Sequence, residues 1–185
     1  MRTKVPLKLQ KIIEEIDQRG QAGMTRLTVL KKWFERPERL RSFGIWMAIR
    51  AVELGGEADG NDDDERALFD VVKTLLTDAD VLAPALDHES TRDLYHRLRQ
   101  FQHDYKSIPF GSCRLIKNWN LYLVEEGLRI YLGNHVSPSH GYKLAADYCQ
   151  HYNPRFGTSL NGPSRTKVEE MLHFVVNVEL SEDGV

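Results

Sequence analysis

Along most of this chain, apolar residues recur at intervals of three and four, the spacing that places side chains on one face of an α-helix. Leu7, Ile12, Ile13 and Ile16 form such a stripe and predict a helix over about 6–18, closed by Gly20 and Gly23. A second helix is expected from Thr25, an N-cap residue type, through Leu27, Val29, Leu30, Trp33 and Phe34, with Pro37 stopping it or opening the next. The third, about 38–54, buries Leu40, Phe43, Ile45, Trp46, Ile49 and Val52 and ends at Gly55-Gly56. Residues 55–64, rich in Gly, Asp and Asn, read as a mobile acidic loop.

Beyond that loop the pattern resumes. Leu68, Phe69, Val71, Val72, Leu75 and Leu76 predict a helix from Asp64 to about Asp78, before Pro84 breaks the path. Ser90 or Thr91 is placed to cap the next, which carries Leu94, Tyr95, Leu98 and Phe101. After the turn Pro109-Phe110-Gly111, residues of about 113–132 are apolar on nearly every face, the mark of a helix at the centre of a bundle. A helix over about 138–151 opens at Pro138, and a last one runs from Pro163 to about Leu180. Phe174-Val175-Val176-Asn177-Val178 alone is ambiguous between helix and strand. The expected fold is therefore all-α: a single domain of seven to eight helices around the apolar helix at about 113–132.

Composition fits this picture. With 185 residues, 41% hydrophobic and 28% charged, the chain is long enough to bury a continuous core and too apolar for disorder as its main state. No apolar run approaches the ~18 residues of a membrane span, the N-terminus lacks a signal sequence, and Cys113 and Cys149 are too few for a disulfide framework. A soluble, cytoplasmic protein with reduced thiols is expected. The net charge of −2 hides a gradient, since residues 1–50 hold 12 Lys and Arg against 5 Asp and Glu, whereas residues 51–105 hold 5 against 14. Packing of the basic part beside the acidic part within one molecule is the plainest account of that split.

The richest local chemistry lies in residues 153–167, a long polar loop over 153–163 that runs into the last helix. Arg155, Asn161, Ser164, Arg165 and Lys167 supply donors suited to phosphate or carboxylate, and a helix start adds unpaired N–H groups and a partial positive charge. The segment does not match the Gly-x4-Gly-Lys-Ser/Thr phosphate loop. In the apolar helix over about 113–132, Asn118, Asn120, Glu125, Glu126 and Arg129 stand where apolar residues pack at less cost. Pairing of Glu125 with Arg129, four residues on, is one explanation. The other is a polar pocket in which Glu125 or Glu126 meets Arg114, Lys117 and the loop.

Other constellations are weaker. His135, His140, Cys149 and His151 lie close in sequence but match no zinc spacing, so no metal site and no cofactor is expected, and the histidines read as surface or capping residues. Cys113 beside Arg114 and Lys117 more simply reads as inert. The basic segment 31–41 interleaves cations with Trp33 and Phe34, but the helix after it is too apolar to read bases, which leaves non-specific phosphate contact with nucleic acid as a lesser alternative. The leading expectation is a non-enzymatic binding or regulatory module that takes an anionic small molecule or an acidic partner segment at 153–167. The alternative is an enzyme acting on a phosphorylated or carboxylated substrate, with Glu126 or His151 as acid/base.

Overall fold

A computed structural model of the chain describes residues 30–55, 63–82, 84–103, 116–133, 136–149, 152–153, 158–159 and 165–182. Their regular structure is helical: α1 (Leu30–Trp33), α2 (Pro37–Gly55), α3 (Asp63–Leu76), α4 (His88–His103), α5 (Trp119–Leu132), α6 (Pro138–Cys149) and α7 (Arg165–Glu182). Between α6 and α7, β1 (Tyr152–Asn153) and β2 (Thr158–Ser159) form a two-residue antiparallel bridge, with Tyr152 opposite Ser159. The backbone at 158–159 therefore lies antiparallel beside that at 152–153. The ambiguous stretch 174–178 is helical, inside α7. The helix expected at 6–18, the turn at 109–111 and most of the acidic loop lie outside the described residues.

Local chemistry sets the helix ends. Pro37 opens α2, where its missing N–H costs nothing and its fixed φ suits the first turn. Helix α4 starts earlier than Ser90 or Thr91 would place it. Asp87 is the cap, its carboxylate accepting from the Ser90 N–H at 2.8 Å, while the Thr91 hydroxyl donates to the Asp87 carbonyl at 2.6 Å. Hydrogen bonding by Ser90, from its side chain and then its backbone N–H, holds the Asp87 carboxyl below its ordinary pKa. Helix α5 starts at Trp119, later than the expected 113. Asn118 is extended at φ −136° and ψ 124° and accepts from the Leu121 N–H, which satisfies one of the free donors of the first turn. Buried Gln102 straps the preceding segment, donating to the Asn118 carbonyl and accepting from the Lys117 N–H, each at 2.9 Å. At the other end Gly133, at φ 71°, adopts the left-handed conformation that closes a helix. Ser137 precedes α6, its N–H donating to the His140 ring at 3.0 Å, so His140 is a capping residue.

The most extensive helix pair is α2 with α5, and α4 and α6 also pack on α5. The α2–α5 crossing passes through two glycines. A Cβ at Gly44 would fall 2.5 Å from the Gly127 carbonyl oxygen, and one at Gly127 would strike the Gly44 carbonyl in turn. The two backbones meet where neither residue has a side chain, and Ala48 and Ile130 close over the contact. Around it Phe43, Ile45, Leu121, Leu123 and Leu128 are at most 1% exposed. Each such side chain contributes about 1.5–3 kcal/mol by leaving water. No helix among the described residues is long and apolar enough to cross a membrane.

Candidate functional site

The first turn of α7 carries no acidic residue, although the helix dipole favours one there. It carries Arg165 and Lys167 instead. Lys167 is half-buried and its ammonium lies 5.1 Å from the centre of the Tyr148 ring, on α6. Burial lowers the Lys167 pKa against the opposing pull of Cys149 and Glu170. Burial likewise pushes the Cys149 thiol up to about 12, against the pull of Lys167, so this cysteine stays protonated and is not a thiolate nucleophile. Arg155, Asn161, Ser164 and His151 lie outside the described residues, as do Cys113 and Arg114.

Beneath Lys167 a polar group joins three helices. The Tyr148 hydroxyl donates to Glu170 at 2.7 Å, and the Arg50 guanidinium pairs with the same carboxylate at 2.9 Å. Arg50 also pairs with Glu53, one turn along α2. Burial acts to raise the Glu170 pKa, but the bonds from Tyr148 and Arg50 outweigh it and hold the carboxyl below its ordinary value. Burial acts to lower that of Arg50, and its bonds to Glu170, Glu53 and Tyr148 reverse the effect. Tyr148 is raised by burial and by its bond to Glu170, so the hydroxyl remains a donor at neutral pH. Through Glu170, Arg50 thus ties α7 to α2 and Tyr148 ties it to α6.

That group walls an open trough of about 530 Å³ between α2 and α7. Its floor is aromatic: Trp46 stacks on Phe174 with ring centres 4.9 Å apart and on Phe43 at 5.9 Å. Ile49 and the segment Val81–Leu82 complete the apolar side, and His173 and Asn177 line the rim.

Glu126 stands apart from the arrangement the sequence suggests. Its carboxylate is held by Arg129, three residues on, at 3.3 Å. Asp147, on α6, accepts from the Tyr122 hydroxyl at 3.1 Å; burial raises its pKa, Lys143 opposes, and the charge of Glu126 adds to the rise. Lys117, expected to share a pocket with Glu126, lies with its ammonium 3.8 Å from the Phe101 ring centre, before α5 begins. Among the described residues no group of three or more His, Cys, Asp and Glu is placed to hold a metal ion. In the basic segment, Trp33 and Phe34 are 6% and 1% exposed and pack in the core, which removes them as surfaces for stacking bases.

No protein-family model matches the chain, and no curated protein or solved structure resembles it at a significant level. Arg50, Glu53, Tyr148 and Glu170 do not stand out as a group in the sequence. The one available signal is Arg50 itself, a lone charge inside the apolar run Ile45–Val52.

Proposed function

We propose that the protein is a non-enzymatic binding module, a single all-helical domain of seven to eight helices around α5, that takes an anion at the start of α7. The carrying observation is Lys167: a half-buried ammonium in the first turn of a helix that has no acidic residue there. A cation at the positive end of a helix dipole, partly out of water, is unfavourable unless negative charge stands near it. Glu170 supplies part of that charge, but its carboxylate also serves Tyr148 and Arg50. An incoming phosphate or carboxylate completes the balance, with the N–H groups of the helix start, Arg165 and Lys167 as donors, and Arg155, Asn161 and Ser164 as further contributors from the loop. The ligand class is an anionic small molecule or an acidic segment of a partner protein.

Calorimetric titration with inorganic phosphate and with a short Asp- and Glu-rich peptide tests the site. Wild type is expected to bind at least one of them, and the Arg165→Ala, Lys167→Ala variant to lose that binding while keeping its helical circular dichroism. Undiminished binding by the variant contradicts the assignment. The enzymatic alternative, with Glu126 or His151 as acid/base, has less support, because Glu126 is held by Arg129 at 3.3 Å.

A further inference from the structure

The trough between α2 and α7 is distinct from the helix start to which an anion is assigned, and its chemistry has the opposite preference. Among the described residues its charged lining comprises Arg50, Glu53 and Glu170, one cation and two carboxylates, and both carboxylates pair with that cation. An anion entering the trough meets a guanidinium already faced on both sides by carboxylates. A cation meets the one negative charge that the Arg50 guanidinium leaves unbalanced, most accessible at Glu53, whose side chain is 53% exposed. Glu170 is kept ionised by its bonds from Tyr148 and Arg50.

The remainder of the lining suits an apolar body. Trp46, partly exposed, continues the aromatic stack of Phe43 and Phe174, and an aromatic surface also attracts ammonium and guanidinium groups. The opposite lip is Leu82, 47% exposed. That lip is held in place: the Leu82 N–H donates to the Asp80 carboxylate at 2.9 Å, the Ser42 hydroxyl reaches the Leu82 carbonyl at 3.5 Å, and the Tyr131 hydroxyl accepts from the Leu86 N–H at 2.9 Å just beyond. A site whose walls are fixed in advance loses less entropy on binding. On both helices the lining follows helical spacing, Trp46, Ile49, Arg50 and Glu53 on α2 against Glu170, His173, Phe174 and Asn177 on α7. Seven residue steps give the trough a length of roughly 10 Å. That is too short for a docked helix and, at about 530 Å³, within the range of small-molecule pockets.

We propose that this trough binds a small organic cation, an ammonium or guanidinium group on an apolar body, with the charge beside Glu53 and Glu170 and the body over Trp46, Ile49 and Leu82. The test uses three probes of one shape: 4-phenylbutylammonium, 4-phenylbutanol and 4-phenylbutyrate, titrated into the full chain and followed by calorimetry and by tryptophan fluorescence. The ammonium is expected to bind about fivefold or more tightly than the alcohol, the value of one or two partly exposed ion pairs, and the carboxylate more weakly than either. Glu53→Gln is expected to erode the advantage of the ammonium over the alcohol without changing the affinity for the alcohol. Leu82→Arg, at an exposed position that leaves the core intact, places a cation at the lip and is expected to abolish ammonium binding. Equal affinity for the three probes, binding of none of them, or ammonium binding that survives Leu82→Arg overturns the proposal. The anion site at the start of α7 is untouched by any of these results, because neither variant alters Arg165 or Lys167.

Discussion

At Asp147 a carboxylate accepts a bond from the Tyr122 hydroxyl, yet burial and the neighbouring charge of Glu126 work against its ionisation. Its folded-state pKa is raised above the unfolded value, so its contribution to stability is fully present below the unfolded pKa and is lost as pH rises through the folded one. At neutral pH the charged form is a cost. Asp147→Asn keeps an acceptor for Tyr122 and removes the charge, and is expected to be more stable than wild type near pH ~7, with the advantage vanishing below about pH 4. Urea unfolding of both proteins at the two pH values checks this; a variant less stable by the same amount at each would show that the charge is not the issue. Glu170 has the opposite sign. Its folded pKa is lowered, so its contribution is present above the unfolded value and is lost as pH falls through the folded one. Two partly buried carboxylates on neighbouring helices therefore respond to acid in opposite directions, because burial outweighs Lys143 and the Tyr122 bond at Asp147, whereas the bonds from Tyr148 and Arg50 outweigh burial at Glu170.

At the scale of elements, the α2–α5 crossing rests on the absence of two side chains. Gly44→Ala would place a methyl against the Gly127 carbonyl, a backbone atom that cannot rotate aside, and the helices must separate. The expected cost is about 1–3 kcal/mol, although alanine is intrinsically the better helix former. A lower midpoint in urea with an unchanged slope is the predicted signature; a variant as stable as wild type would mean that the helices do not meet here. This contact shows what the sequence carries and what it does not. Helix α2 is legible from its apolar spacing and from Pro37, and α6 from Ser137-Pro138, because both signals are local. Gly44 and Gly127 each look like weak points in a helix, and only their meeting, 83 positions apart, explains them. The start of α5 was displaced for a related reason. Residues before Trp119 are apolar enough to continue the pattern, and the extended backbone of Asn118, with Gln102 strapping the segment from α4, decides the boundary. Asp87, Ser90 and Thr91 are all good cap types that sequence spacing does not rank, and the bond from the Ser90 N–H selects Asp87.

Across the whole molecule, the candidate site joins residues 50, 148, 167 and 170, drawn from three helices. Its local part, Arg165 and Lys167 at a helix start, is visible in the sequence; the ionic group beneath Lys167 and the trough beside it depend on α2, α6 and α7 meeting. Tyr148 links the two, with Lys167 over its ring and Glu170 on its hydroxyl. The central claim is that the start of α7 receives an anion. Its most direct test is thermal unfolding of wild type and of Arg165→Ala, Lys167→Ala with and without the anion found by titration, inorganic phosphate or the acidic peptide. At a hundred times its dissociation constant a ligand stabilises the folded state by about 2.7 kcal/mol, which for a chain of this size is roughly 5–10 °C in Tm. A shift of that order in wild type and none in the variant is the predicted result; the same shift in both proteins, or none in either, would contradict the account.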